Sequence, residues 1–452
     1  MKQYKYFSKR LLTGLMILVT LSAGNRVAAQ DAATLTLEKA LEKALKNNNS
    51  LQVDALGVAK AQAQTALSKS ALLPDIRLNS GIYHYFQQPL FFGFGDAAAA
   101  SNKVDYGRFG GKDQADATLQ VSMPIYNPVA RTATAQSKLE EGRSRWQYKM
   151  KSADVAAAVR QVYLRILVLE KRGQLQIETM DRNKRALMDA KYLYAQGKVL
   201  LVDTLRAYTT WKNLEPELLR INNAIMVSKE QLNILMGDDA AGSITLSDTL
   251  HSPATAPDAA ENNLYELAIQ QRPEIRLLTL EKEMSAKEVE SARNAKLPVI
   301  SGFGQYQLQT QTNGFRYNSA YFPSTVMAGV KMSIPIYAGG GHNAAIKKAQ
   351  IAQQQAGLRL VDATNQLHQQ VKQIIANLQE TSHRIQIRQT VTSTAESSYN
   401  ITKYRYQRGA ATRLELADAE LALTVARADY LEAIFDYETA KIDMDRLLGI
   451  TQ

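Results

Sequence analysis

No cysteine stands anywhere in this 452-residue chain. That absence rules out a disulfide framework, a thiolate metal site and a lipid anchor on a cysteine behind a leader. Past the first thirty residues no run of about 18 consecutive apolar residues occurs, so a membrane-spanning helix is not expected. The five histidines (His84, His251, His342, His368 and His383) are scattered, and none has a metal-binding spacing such as His-Glu-x-x-His. Gly339-Gly340-Gly341 is followed by His342-Asn343 rather than by Lys-Ser or Lys-Thr, which argues against a phosphate loop. Gly93-Phe94-Gly95 has no helical pattern after it and reads as a loop. No nucleophile elbow and no triad is recognisable. The chain is not expected to be an enzyme, and neither a cofactor nor a metal is implied.

Acid is missing from the start: Lys2, Lys5, Lys9, Arg10 and Arg26 precede the first acid, Asp31. The apolar stretch Leu11 to Ala23 and the small residues Val27-Ala28-Ala29 complete the pattern of a secretory signal peptide over 1–29. Without those five cations the net charge falls from +11 to +6, which is mild for this length and argues against a nucleic-acid partner.

What is present is a duplication. Ser122-Met123-Pro124-Ile125-Tyr126 returns 211 residues later as Ser333-Ile334-Pro335-Ile336-Tyr337. Tyr194-Ala195-Gln196-Gly197 returns as Tyr406-Gln407-Arg408-Gly409, and Leu235-Met236-Gly237 as Leu447-Leu448-Gly449, each 212 apart. Leu73-Pro74 and Leu297-Pro298 are 224 apart, so the first copy carries 13 extra residues between its Leu-Pro and Ser-x-Pro-Ile-Tyr marks. The repeats span 30–237 and 264–452, joined by a linker over 238–263 with a possible strand at Ile244–Leu246.

Four segments alternate with period two: Asp75–Phe86, Asp116–Ile125, Pro298–Gln309 and Thr325–Ile336. Each has one apolar and one polar face, and they predict one hairpin per repeat, over 75–125 and 298–336. The hairpin loops are rich in aromatics, with Phe91, Phe92 and Phe94 in the first and Phe315, Tyr317, Tyr321 and Phe322 in the second. Aromatics at strand ends suit a membrane interface. Four strands cannot close a barrel, which needs about eight, so two or three chains must pool theirs.

The rest reads as helix. From Asn127 to Gln196 and from Gly339 to Arg408 the pattern runs unbroken over 70 residues, roughly 105 Å each. Val155, Val159, Val162 and Ile166 step by 4, 3, 4, as do Leu367, Val371, Ile374 and Leu378, which is a coiled-coil seam. Each long helix stops at a glycine, Gly197 or Gly409, and a return helix of about 40 residues runs back to Gly237 or Gly449. The first repeat therefore holds a long helix and its return over 127–237, the second over 339–449.

In this order and spacing the Leu-Pro entries, the Ser-x-Pro-Ile-Tyr exits and the two tip turns resemble the TolC-type outer-membrane efflux proteins across the mature chain. The resemblance implies a mainly α subunit with a small β part. Three such subunits would form a 12-stranded outer-membrane β-barrel on a periplasmic α-helical barrel. It implies an exit duct of a tripartite efflux pump or type I secretion system, passively exporting small molecules. The partners would be a periplasmic adaptor, an inner-membrane pump reached through it, and outer-membrane lipid. In such proteins acids six and nine residues beyond the second tip glycine ring the pore. Those positions are Glu415 and Asp418 here. Three copies would place six carboxylates round one axis, where like charges raise one another's pKa and attract cations. Asp203 and Tyr406 match residues that latch neighbouring tips shut. The latch arginine position holds Ala411, and Arg413 is the nearby candidate to replace it. Asp203 also suits a helix cap. Tyr194, Gly197, Leu201, Gly409, Thr412 and Leu414 are the expected adaptor contacts. Two other readings compete: a secreted or surface coiled-coil oligomer without a pore, and a periplasmic enzyme with helical decoration.

Overall fold

The computed structural model describes residues 34–92, 106–108, 110–239, 243–250, 261–315, 317 and 320–450. The signal segment 1–29, Gly93-Phe94-Gly95, His251 and half of the linker lie outside the described residues. Among those described, the chain forms nine helices and one four-stranded sheet, with two small strand pairs. The subunit is mainly α with a small β part.

The first repeat opens with β1 (Thr34–Leu35), α1 (Leu37–Asn47) and α2 (Asn49–Ser70). Then come β2 (Asp75–His84), β3 (Leu90–Phe92), β4 (Tyr106–Arg108) and β5 (Asp113–Tyr126). The 68-residue α3 (Pro128–Ala195) follows, starting on Pro128, where a missing N–H costs nothing, behind Asn127, whose side chain caps Ala130 N–H at 3.0 Å. The return is α4 (Leu201–Lys212) and α5 (Glu215–Met236). After β6 (Thr245–Leu246) the second repeat holds α6 (Glu261–Gln271), α7 (Pro273–Asn294), β7 (Val299–Thr312), β8 (Ser324–Ser333), the 67-residue α8 (Gly341–Gln407) and α9 (Arg413–Leu447).

Two details depart from the sequence reading. The first return helix is broken, whereas α9 is continuous over 35 residues. Pro216 is the cause: it has no N–H, and its ring would strike the Lys212 carbonyl in an unbroken helix. At the break the Leu214 carbonyl accepts from Leu218 N–H at 3.4 Å and also from Gln176 Nε2 at 2.9 Å. The last strand stops at Ser333 rather than Ile336, because Pro335 cannot donate to a ladder. Pro124 stays within β5 only where the register slips between Pro124 and Tyr126.

The expected seam is the core. Val155, Val159, Val162 and Ile166 are buried, and cluster with Ala40, Ala44, Tyr163, Leu232 and Met236. In the second repeat Leu367 and Val371 cluster with Ala268, Ile275, Leu447 and Leu448. Each fully buried aliphatic side chain contributes about 1.5–3 kcal/mol. Gly237 ends α5 at φ +76°, and a Cβ there would stand 2.3 Å from the Asn47 carbonyl oxygen. Only glycine lets the end of the first return helix lie on the α1–α2 corner.

The repeats are tied at mid-height. The parallel pairs Thr34↔Thr245 and Leu35↔Leu246 bring β1 and β6 together. Asp248 accepts from Leu37 N–H at 2.9 Å and lies 2.7 Å from the Tyr163 hydroxyl. Burial, then the Asp248 carboxylate, holds the Tyr163 phenol well above its ordinary pKa. Arg160 reaches Asp445 at 3.1 Å and Arg446 reaches Asp154 at 2.7 Å, joining α3 to α9.

Candidate functional site

Two regions stand apart from the packed core: the sheet at one end and the paired helix tips at the other. The sheet runs β2-β5-β7-β8, antiparallel throughout, with the repeats meeting at its centre. One face carries the row Leu78–Leu119–Tyr306–Val326, and all four side chains are exposed. Ile76, Ile82, Val330 and Met332 widen that apolar band. The other face carries Asn79–Thr118–Gln307–Thr325. Among the described residues, the outer edges of β2 and β8 are unpaired. An exposed apolar band of this kind suits lipid, not water.

Above the band, on the same side, Asp113 is buried at 1% exposure. Its carboxylate lies 2.6 Å from His84 Nδ1 and accepts from the backbone N–H groups of Gly314 at 2.6 Å and Phe315 at 3.1 Å. His84 stacks on Phe315 and meets Phe86 edge-on. This tie between the two hairpins escaped the sequence reading, whose alternating segment began only at Asp116, three residues on.

At the far end, Gly197 (φ +71°) and Gly409 (φ +72°) turn the two tips. Both make the same closure: Lys198 N–H bonds Leu193 O at 3.0 Å, and Ala410 N–H bonds Arg405 O at 2.9 Å. Glu415 and Asp418 are both exposed on the first turns of α9, while Leu416 between them is buried. The Glu415 carboxylate closes a capping box, accepting from Thr412 N–H at 2.6 Å, and Thr412 Oγ1 accepts from Glu415 N–H at 3.2 Å. Thr412 N–H, and after it the Thr412 hydroxyl donating to the same carboxylate at 3.1 Å, lower the Glu415 pKa in the single chain. A depressed carboxylate pKa adds stability that is whole above the unfolded value and lost as pH falls through the folded one. Hydrogen exchange of residues 412–416 is therefore expected to accelerate as pH drops below about 4.5 once corrected for intrinsic rates, and Glu415→Gln should remove that dependence.

Asp203 accepts from Leu200 N–H at 3.2 Å and so caps its own helix. Tyr406 and Arg413 line one cleft of about 660 Å³ between α3, α8 and α9, with Arg413 3.8 Å from Glu420; Asp203 is not part of it. At the head of this cleft Arg427 pairs with Glu178 at 3.5 Å and Glu396 at 3.0 Å, a three-helix tie that the sequence reading also missed. Tyr194, Leu201 and Leu414 are exposed at the tips, as is Thr412. Among the described residues no helix is long and apolar enough to cross a membrane, which says nothing of a β-barrel.

A family model described as outer membrane efflux protein matches residues 40–238 and 264–450. The chain belongs to the outer membrane efflux protein family. AprF, the alkaline protease secretion protein of Pseudomonas aeruginosa, is 23% identical over 421 residues, covering 91% of this chain and 84% of AprF. CzcC, the cobalt-zinc-cadmium resistance protein of Cupriavidus metallidurans, is 24% identical over 344 residues, covering 75% of this chain and 78% of CzcC. The outer membrane protein VceC of Vibrio cholerae shares the fold with a TM-score of 0.73 at 18% identity, covering 91% of this chain and 96% of that one. This efflux protein is thus a non-enzymatic export channel of the outer membrane, with its long helices extending into the periplasm. The poreless fibre and the decorated enzyme are set aside by that membership.

Proposed function

We propose that this efflux protein is the passive exit duct of a tripartite pump or type I system for small molecules, built from three copies. The observation that carries the reading is the amphipathic four-stranded sheet with two open edges. An even number of antiparallel strands leaves β8 antiparallel to the β2 of a neighbour. Successive copies can therefore join edge to edge, and three would close a 12-stranded barrel with the apolar band outward. Below it the helices would form a hollow cylinder. The tips, through Tyr194, Gly197, Leu201, Gly409, Thr412 and Leu414, would meet a periplasmic adaptor linked to an inner-membrane pump. The names of AprF and CzcC show that relatives serve both protein secretion and metal resistance.

At the narrow end, Glu415 and Asp418 from three chains would form a cation-preferring gate, and Asp203, Tyr406 and Arg413 would latch neighbouring tips. The exposure of both acids supports the ring; their crowding would counter the local lowering of the Glu415 pKa. Single-channel recording of the purified protein in a planar bilayer tests this. Stable cation-selective steps are expected, with selectivity falling when Glu415 and Asp418 are both replaced by Ala. Unchanged selectivity would remove the acids from the gate, and no insertion at all would remove the duct.

A further inference from the structure

We propose that the barrel wall is a charge-balanced, amide-lined bore that passes solutes without sorting them by charge, leaving charge selection to the tips. This rests on the duct reading, because it takes the polar face of the sheet as the lumen.

The register places the lining. Gln120 pairs with Gln305, Thr118 with Gln307 and Asp116 with Gln309 across the two central strands. Gln305, Gln307 and Gln309 bond in series along β7, each Nε2 donating to the next Oε1 at 3.3 Å. These bonds lay the amides along the wall instead of across the lumen. Each amide still has donors and acceptors to offer passing hydroxyl or amide groups.

The charges on the face cancel. Asp75 and Arg77 pair with each other at 2.6 Å. Asp116 is offset by Lys331, which shares the face with Ser301. One acid and one base pair internally and one of each remains, so each copy contributes no net charge. Val299, Phe303 and Met327 are apolar side chains on the same face. The tip, by contrast, exposes Glu415 and Asp418 on adjacent turns.

Reversal potentials under a salt gradient test the proposal in the full-length protein. In the variant Glu415→Gln/Asp418→Asn the cation-to-anion permeability ratio is expected to approach that of the free salt. In that background Gln307→Glu and Gln307→Lys should move the ratio in opposite directions by at least about threefold, the factor set by roughly one thermal unit of potential in the bore. Gln305→Lys serves if a Gln307 variant does not insert. A tip-neutral channel that keeps a strong ionic preference would overturn the neutral wall. Charged variants that insert yet leave the ratio unmoved would show that this face is not the lumen. Absence of channel steps from the unmodified protein would instead sink the duct reading, and the wall proposal with it.

Discussion

Leu119→Arg is expected to empty the outer membrane of this protein, whereas Gln120→Arg, one residue along the same strand, leaves it in place. The two side chains stand on opposite faces of β5. Leu119 lies between Leu78 and Tyr306 in the middle of the apolar band and is 42% exposed in the single chain, with no protein to cover it. Gln120 lies between Arg77 and Gln305 on the polar face. An arginine facing lipid near mid-membrane costs about 2–4 kcal/mol per copy. In the proposed three-copy barrel every subunit would carry the change, so the cost would multiply against a folding free energy of only about 5–15 kcal/mol. On the polar face the added guanidinium meets water. The check is fractionation: detergent-extracted outer membranes, blotted for the protein, should lack Leu119→Arg and retain Gln120→Arg. Equal loss of both would mean that the band does not face lipid.

The contrast between those neighbours was legible in the sequence because period two is a local property: one residue decides one face. The seam was legible for the same reason, since Val155, Val159, Val162 and Ile166 carry the 4, 3, 4 spacing on one helix. The Pro216 break was also written there. It went unread because the segment was matched to its continuous counterpart in the second repeat, whose α9 has no proline between Arg413 and Leu447. Pro335 ended β8 for an equally local reason. What could not be read are contacts between elements far apart in the chain. Asp113 meets Gly314 and Phe315 some 200 residues away, and Arg427 reaches back 249 residues to Glu178. No spacing rule encodes those meetings; they exist only once the sheet and the helix bundle are built. The tip acids lie between these cases. Their places on α9 were legible, and Glu415 also proved to close a local capping box, but the ring proposed for them needs neighbouring copies, which no spacing within one chain encodes.

The second large effect belongs to the seam. Val159→Asp is expected to prevent a stable fold, and Val159→Thr to weaken it by only about 1 kcal/mol. Val159 is fully buried, in a cluster with Ala40, Ala44, Tyr163, Leu232 and Met236. A carboxylate there would lie among those apolar side chains, and Arg160, the next residue, is held by Asp445 at 3.1 Å. An unpaired buried charge costs on the order of 3–5 kcal/mol, or the group takes up a proton and remains a polar intruder among methyls. Threonine keeps the β-branched shape and can return its hydroxyl to the carbonyl four residues back. The chain already uses that solution: buried Thr381 bonds Asn377 O at 2.7 Å and Thr179 bonds Leu175 O at 2.8 Å. Thermal melting of the purified protein in detergent, followed by far-ultraviolet circular dichroism, separates the outcomes. A melting temperature for Val159→Asp close to that of Val159→Thr would mean that water reaches the seam, and that the long helices are held together by something other than this aliphatic core.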